Sequence, residues 1–292
     1  MELADLKAAF EEPKNIVITS HRSPDGDAIG SSLALSSVLK QYGHQVDVIV
    51  PDSFPNFLKW MFGAPEIVIY EYSKIRSKER IEKADYIFSL DYNNLSRVAE
   101  LGDLIAASSA KKLMIDHHIG PDQSYDFIIS DTSASSTAQM VFDFIEKMEL
   151  KKYLDVHVAE ALYAGIMTDT GSFRFSSTSA RTHEVVAELM KIGLKPEVVH
   201  QNIFDSNSYS KLKLVGFALS ERFEFDPDNG ISIIHLSQLD KQNFNYQKGD
   251  TEGLVNYGLS VAGSKMAVFV SEDEGYTKFS FRSKGVLDVN LI

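Results

Sequence analysis

The first half of the chain alternates short runs of apolar, mostly β-branched residues with longer stretches whose apolar residues recur at helical spacing. The short runs predict strands over residues 15–19, 46–50, 85–90, 112–115 and 127–129, and the stretches predict helices over residues 27–42 and 95–107. This alternation is typical of an α/β fold with a mostly parallel sheet and helices on both faces. Ligands of such sheets bind beyond the carboxyl ends of the strands, so a functional site is expected there.

After residue 129 the pattern changes. Helical periodicity continues over residues 135–148, 155–167, 180–192 and 209–223, and strand-like runs follow at 231–235, 266–270 and 277–281, with turn-forming residues at 226–230 and 272–275. The chain is therefore predicted to have a first domain over residues 1–192, a helical linker over 193–207, and a smaller mixed α+β domain over 208–292.

The composition of the chain limits which ligands and cellular locations are expected. The chain has 292 residues with 29 Lys and Arg against 41 Asp and Glu, a formal charge of −12, so a general coat for long nucleic acid is excluded and a small anion is the expected partner. Cysteine is absent, which excludes disulfides and thiolate metal sites. The first residues have no signal-peptide pattern, and no run approaches the roughly 20 apolar residues of a membrane span. A cytoplasmic protein that does not bind membranes is expected.

The first candidate cluster follows the predicted strand 15–19. It contains His21, Asp25 and Asp27, and the two carboxylates lie on either side of Gly26, where a turn can direct both toward one point. The alternative interpretation is an ordinary turn in which Asp27 caps the following helix, and for this segment alone the two interpretations are equally favoured.

Three more clusters fall at the ends of predicted elements. Asp91 follows the strand 85–90, and taken alone it is typical of a turn. Asp116, His117 and His118 follow the strand 112–115, where an acid and two imidazoles leaving a buried strand need partners or a cation. Asp169 ends the helix 155–167, where a carboxylate faces the negative end of the helix dipole at a cost of roughly 0.3–1 kcal/mol unless a cation compensates.

Four such clusters at the ends of successive elements are difficult to explain as turns alone. Their Asp and His side chains, without thiolates, suit Mn²⁺ or Mg²⁺ better than structural zinc, and so many carboxylates favour two ions that share one acid. Two ions roughly 3.5–4 Å apart can stabilise the attacking and leaving oxygens of a displacement at phosphorus. The sequence thus predicts hydrolysis of a phosphoester by two-metal activation of water.

These motifs resemble those of the RecJ-like DHH phosphoesterase family, which is named for an Asp-His-His triplet. The triplet here is Asp116-His117-His118, and residues 21–31, 89–91 and 165–171 are similar to the other family motifs. The resemblance implies one metal at His21, Asp25 and Asp91 and a second at Asp27, Asp91, His117 and Asp169. It further implies that His118 faces the substrate phosphate and that Asp116 orients an imidazole.

Residues 278–285 resemble the family's DHH-associated C-terminal domain, in which an Arg-Ser pair contacts the nucleotide phosphate. The resemblance implies that Arg282, Ser283 and Lys284 bind substrate. The alternative is a solvated edge strand, which would be preferred without the first domain. Family members usually continue into a glycine-rich loop that holds the phosphate, whereas this chain ends at residues 288–292. Either the sequence is cut short or that part of the binding site is incomplete.

The layout resembles family members that degrade short RNA and also dephosphorylate 3′-phosphoadenosine 5′-phosphate (PAP). The resemblance implies a Mn²⁺-dependent enzyme that converts short oligoribonucleotides to mononucleotides and PAP to AMP, and it leaves a homodimer open. The nearest alternative is a phosphodiesterase of cyclic dinucleotides or their linear products, and a second is a nucleotide sensor without catalysis. Arg174 is not assigned a role, since it suits a cleft or the surface equally. The hydroxyl-rich residues 133–137 are interpreted as candidates for capping a helix.

Overall fold

The computed structural model describes residues 2–273, 275–285, 287 and 289, which divide into two compact units, Met1–Ile203 and Phe204–Ile292. The prediction about the missing glycine-rich loop concerned the last residues of the chain. Of these, residues 288 and 290–292 lie outside the described part. Within that part, no helix combines the length and apolar character needed to cross a membrane.

The first unit is built on a six-stranded parallel sheet with the order β3-β2-β1-β4-β5-β6. Its strands are β1 (Asn15–Ser20), β2 (Gln45–Val50), β3 (Val68–Ile69), β4 (Tyr86–Leu90), β5 (Lys111–Asp116) and β6 (Phe127–Ser130). Its helices are α1 (Leu3–Ala9), α2 (Gly26–Tyr42), α3 (Lys74–Glu82), α4 (Leu101–Ala107), α5 (Thr137–Lys147), α6 (Val156–Asp169), α7 (Ala180–Ile192) and α8 (Pro196–Phe204). The predicted α/β class is confirmed.

Alternation of side chains along the strands divides the core of this unit in two. Ile16 and Ile18 of β1 face the larger apolar cluster, which includes residues of α2, α5 and α6, whereas Val17 faces a smaller cluster with residues of α3 and α4. The sheet is therefore covered on both faces, and its polar groups become accessible at the ends of the strands.

The second unit has a four-stranded mixed sheet in the order β10-β9-β8-β7. Its elements are α9 (Tyr209–Glu221), β7 (Phe223–Asp226), β8 (Ile231–Leu236), α10 (Gln238–Asn243), α11 (Leu254–Ser260), β9 (Met266–Asp273) and β10 (Tyr276–Ser283). Strands β8 and β9 are parallel and the other pairs are antiparallel. The prediction of a smaller mixed α+β part is confirmed.

The single helix predicted over residues 95–107 is wrong. A 3₁₀ turn over Leu95–Val98 precedes α4, and the two are separated at Ala99, whose φ of 51° is incompatible with a right-handed helix. The carbonyl of Arg97 in this turn accepts a hydrogen bond from the amide of Arg22, 2.8 Å away, so the turn is fixed to the segment that follows β1. A tertiary contact thus overrides the apolar periodicity.

Helices α2 and α6 approach closely because each has a glycine at their contact. A Cβ on Gly30 would lie 2.4 Å from the carbonyl oxygen of Ala161, and one on Gly165 would lie 2.8 Å from an Asp27 oxygen. These contacts leave no room for a methyl group. They place the start of α2 beside the end of α6.

We expect Gly30→Ala to lower the free energy of unfolding by about 1–3 kcal/mol, because the new methyl meets a backbone oxygen that cannot rotate away. Gly216→Ala is the matched control, since this glycine lies within α9 and a Cβ there would have no heavy atom within 4 Å. This control should be neutral or stabilising by up to about 1 kcal/mol. Chemical denaturation measures both variants. Equal stability of Gly30→Ala and the unchanged protein would contradict the close packing.

Candidate metal centre

The carboxyl ends of β1, β4 and β5 meet at one edge of the sheet. Leu90 of β4 pairs with Ser20 of β1 on one side and with Ile115 of β5 on the other. The residues that follow these positions therefore emerge together. They are His21, Asp91 and Asp116, each from one of the predicted clusters.

The segment after β1 contributes two carboxylates through the start of α2. Asp25 is the N-cap of this helix, and its Oδ1 accepts hydrogen bonds from the amides of Asp27 and Ala28 at 3.0 and 3.1 Å. The capping residue is thus Asp25, and the alternative that Asp27 caps the helix is wrong. Asp27 is free of that task and turns into the interior, where it is 1% exposed.

Asp27 is held by the start of α5. Its Oδ2 accepts from the amide of Thr137 at 2.6 Å and its Oδ1 from the amide of Ala138 at 2.8 Å. Both amides belong to the first turn of the helix, where unpaired N–H groups and the helix dipole favour an anion. Two helix N-termini therefore position the two carboxylates of this motif.

Asp91 lies at the centre of the cluster, buried and with a φ of 64°. Its Oδ2 is 3.3 Å from Nε2 of His21, and its Oδ1 is 3.5 Å from Nε2 of His117. Oδ1 also accepts a hydrogen bond from the hydroxyl of Thr137 at 3.0 Å. The two oxygens of this one carboxylate thus face two different sets of ligands.

The ligand atoms form two main groups, each with atoms within 4.8 Å of one another. One contains His21, Asp25 and Asp91, and the other contains Asp27, His117 and Asp169. A third combination, Asp91 with His117 and His118, overlaps both. Six of the predicted residues are thus brought together, from β1 to the end of α6.

The charges of the cluster shift the proton affinities strongly. Burial by itself lowers the pKa of His21 and of His117, but hydrogen bonds and charges of neighbouring carboxylates, Asp91 above all for His117, outweigh it and raise these values to about 11 and about 10. Burial raises the pKa of Asp27 well above its usual range, and the charges of Asp91 and Asp169 add to this. Burial likewise raises the pKa of Asp169 to about 7.

Asp91 is the exception among the buried acids. Burial would raise its pKa, but hydrogen bonds from His117 and His21 prevail and hold the value well below its usual range. Protons on the imidazoles of His21 and His117 balance this charge. A divalent cation can replace those protons. The buried carboxylates, which repel one another, and the imidazoles beside them therefore fit Mn²⁺ or Mg²⁺.

His118 has a different environment from His117. Its Nδ1 is 2.7 Å from Oδ1 of Asp116, a fully buried carboxylate, while the His118 side chain is 35% exposed. Asp116 thus fixes the ring and leaves Nε2 for another partner. The second oxygen of Asp116 is buried without a hydrogen-bond partner among the described residues.

Comparison with known proteins identifies the family. The model of the DHH family N-terminal domain matches residues 15–166, more than half of the chain. The chain belongs to the DHH family. It is also 32% identical, over 287 residues, to a bifunctional oligoribonuclease and PAP phosphatase of Thermus thermophilus, an alignment that covers 97% of this chain and 80% of the relative.

Solved structures agree with this DHH assignment. An exopolyphosphatase-related protein of Bacteroides fragilis superimposes with a TM-score of 0.94 and 38% identity, covering 99% of this chain and 85% of that one. The exonuclease RecJ bound to manganese superimposes with a TM-score of 0.51 at 13% identity, covering 100% of this chain and 84% of that one, which shows a shared fold.

One residue of the site was missed by the sequence interpretation. Thr137 touches both inner carboxylates of this DHH protein, through its amide to Asp27 and its hydroxyl to Asp91. The hydroxyl-rich run 133–137 was interpreted as capping, and Ser136 is indeed the N-cap of α5. The available signal was the position of this run after β6, at the same edge of the sheet as the other clusters.

The candidate substrate residues lie in the second unit. Arg282 is exposed on β10, where its guanidinium donates to the carbonyl of Phe281 at 2.9 Å. Ser283 donates to the carbonyl of Leu287, and Lys284 donates to the carbonyl of Leu259. All three side chains thus have hydrogen bonds to backbone carbonyls within their own unit.

A cavity of about 640 Å³ in the first unit lies away from the metal cluster. None of the cluster residues lines it, and several of its polar groups pair with one another, as Lys40 does with Glu66 and Gln41 with Asp155. Its lining therefore has little unbalanced charge. We locate the site by the clustered carboxylates and imidazoles instead.

Binding of Mn²⁺ to the metal-free protein at pH 7.5 should release roughly two protons per molecule, one each from His21 and His117, because ligands must lose their protons to bind. Asp169 should release a further fraction of a proton, and this fraction should fall as the pH rises through about 7. The apparent affinity for Mn²⁺ should weaken as the pH is lowered. Calorimetry in buffers of different ionisation enthalpy counts the protons.

The control for this count is His21→Asn, which removes one of the protonated ligands and should release roughly one proton fewer. A heat of binding that is independent of the buffer would show that the imidazoles are not protonated in the metal-free protein.

Proposed function

We propose that this DHH protein is a phosphoesterase that hydrolyses short oligoribonucleotides to mononucleotides and PAP to AMP, with two divalent cations, Mn²⁺ in preference to Mg²⁺. The observation that carries the proposal is the carboxylate of Asp91, whose two oxygens face two separate ligand groups. That arrangement is the one required for a pair of ions that share an acid. The oligoribonuclease and PAP phosphatase of Thermus thermophilus and the manganese-bound RecJ structure support the substrate class and the metal.

Each ligand residue has a defined task in this proposal. His21, Asp25 and Asp91 hold one ion, and Asp27, Asp91, His117 and Asp169 hold the other. The hydrogen bond from His21 Nδ1 to the carbonyl of Arg22, at 2.8 Å, orients the ring so that Nε2 faces Asp91 and would be available to an ion there. When bound, the ions activate water and neutralise the charge that develops on the phosphoryl oxygens.

His118 completes the reaction. The oxygen of water forms a bond to phosphorus and the water loses a proton to solvent, while the bond from phosphorus to the leaving oxygen breaks and that oxygen takes up a proton. With Nδ1 bound to Asp116, the exposed ring of His118 is oriented to hold the phosphate and to supply this proton from Nε2. Asp116 acts through His118 and does not touch the substrate.

The second unit supplies a cationic spot in an acidic protein. Arg282 can hold a phosphate with two parallel hydrogen bonds, and Ser283 and Lys284 add a hydroxyl and a positive charge. The net charge of −12 repels long polyanions, so affinity is confined to substrates that are small enough for a local site. This charge distribution favours short RNA and nucleotides over long nucleic acid.

The test is incubation of the purified protein with a labelled five-nucleotide RNA and, separately, with PAP, in Mn²⁺ or with a chelator. We expect mononucleotides and AMP only when metal is present. Asp91→Asn should reduce kcat by at least roughly 10³-fold, since it removes the anion whose two oxygens face His21 and His117. Chromatography of the products, with circular dichroism to verify folding, gives the result.

The matched control is Asp103→Asn, an exposed acid in the first turn of α4 that belongs to none of the ligand groups, which should retain full activity. Full activity in folded Asp91→Asn would exclude the two-metal mechanism. Faster turnover of a cyclic dinucleotide than of RNA or PAP would replace the proposed substrate class and keep the metal site.

Removal of the guanidinium of Arg282 should act on substrate binding. We expect Arg282→Ala to raise KM for PAP by roughly tenfold or more with a smaller effect on kcat, and Arg282→Lys to restore only part of the affinity because it lacks the bidentate fork. Lys278→Ala, an exposed cation earlier on β10, is the control. An unchanged KM in Arg282→Ala would remove this residue from the substrate site.

A further inference from the structure

The metal cluster is closed on one side and open on the other. The side chains of His21 and Asp91 are 9% and 3% exposed, whereas those of Asp169 and His118 are 31% and 35% exposed. The side chain of Asp25 is exposed as well, at 44%, so a phosphate can approach the cluster where Asp25, Asp169 and His118 are exposed. The chain that continues from Asp169 is at this opening.

The segment after Asp169 folds back over the end of α6 in an unusual conformation. Gly171, Ser172 and Phe173 have φ values of 55°, 59° and 64°, and the last two are not glycines. Non-glycine residues adopt such values rarely, and they persist where the surrounding structure enforces them, often at functional sites. The loop is therefore held in one defined shape.

Two residues enforce that shape. The hydroxyl of Thr170, which is fully buried, donates to the carbonyl of Ile166 at 2.7 Å and accepts from the amide of Phe173 at 3.0 Å. The ring of Phe173 packs against those of Tyr163 and His183, at centroid distances of 5.8 and 5.5 Å. The loop is anchored from within, so its outward-facing residues are presented on a rigid base.

Arg174 and Phe175 face outward, as residues 176–177 do, and these first two fold back onto Gly171. The Nε of Arg174 donates to the carbonyl of Gly171 at 2.7 Å. The ring of Phe175 lies so close that a Cβ on Gly171 would be 2.5 Å from it, yet Phe175 remains 41% exposed. An aromatic surface and a guanidinium are thus fixed a few residues beyond Asp169.

We propose that this loop recognises the nucleotide whose phosphate is at the metal centre, with Phe175 stacking on the base and Arg174 binding an adjoining phosphate. The inference rests on the proposed function and extends it to the residues that select nucleotides over other phosphates. Stacking on an aromatic side chain accepts every base, which suits an enzyme for mixed-sequence RNA. Arg174 provides a positive charge beside the acidic cluster, where an anionic substrate would otherwise be repelled.

The decisive comparison uses AMP and ribose 5-phosphate, which differ only in the base. In Mn²⁺, calorimetry on the unchanged protein should show AMP binding more tightly by roughly 5- to 150-fold, the range for one stacked base. Phe175→Ala should abolish this preference by weakening the binding of AMP and not that of ribose 5-phosphate, and Phe175→Trp should keep the preference. Arg174→Met should weaken the binding of PAP, which has more than one phosphate.

The matched control is Phe62→Ala, which removes another exposed phenylalanine of the same unit, one that stacks on His157 at 4.7 Å, and it should leave the preference intact. An unchanged preference for AMP in Phe175→Ala would overturn the stacking role. Equal binding of AMP and ribose 5-phosphate by the unchanged protein would overturn it as well.

Turnover of the five-nucleotide RNA by the unchanged protein is measured in parallel. Its absence, together with a base preference that depends on Phe175, would remove the proposed hydrolysis while supporting the loop as a nucleotide-binding element. Normal turnover of the RNA without that base preference would exclude the proposed role of the loop and keep the proposed hydrolysis.

Discussion

The ionised carboxylate of Asp91, buried at the end of β4, is the constraint on which the rest of the site depends. A charge in the interior must be balanced, and here hydrogen bonds from His21 and His117 hold its pKa low, while its own charge raises the pKa of Asp27 and Asp169. The imidazoles, the acids and the Thr137 hydroxyl are arranged around this one group. Any account of the reaction begins with how that charge is shared.

The fold supplies this arrangement through close packing of its helices. Gly30 and Gly165 let α2 and α6 approach, so that Asp27 at the start of one helix and Asp169 at the end of the other reach the same cluster. The first turn of α5 adds the amides that hold Asp27. The ligand geometry therefore depends on contacts among helices as much as on the sheet.

Much of this could be predicted from sequence because the strands of a buried parallel sheet are continuous apolar runs and each ends at a polar motif. That pattern selected His21, Asp25, Asp27, Asp91 and the triplet Asp116-His117-His118, and the position of Asp169 at the end of a helix added the fourth cluster. The choice of six of these residues as metal ligands came from the family resemblance, and the structure brings those six together. Helix α3 was missed because only Ser77 and Ile81 are buried in it, so its apolar periodicity is weak.

The remaining errors have a common cause, which is that the deciding partner is distant in sequence. The break at Ala99 depends on the contact between Arg97 and Arg22, and the role of Thr137 depends on acids more than 40 residues away. Phe175 is a separate, local case, because its position is set by backbone angles at Gly171 and beyond, which no spacing rule predicts. Such features require the three-dimensional structure.

The ligand groups come from segments as far apart as His21 and Asp169, and they include the start of α2, the helix whose residues from Gly26 to Ser36 are all buried. An ion that joins these segments acts as a removable cross-link across the core. Because a ligand that binds only the folded state stabilises it by mass action, the proposed metal would also stabilise the fold of this chain. Removal of that metal would then free these segments to separate as well as ending the proposed hydrolysis.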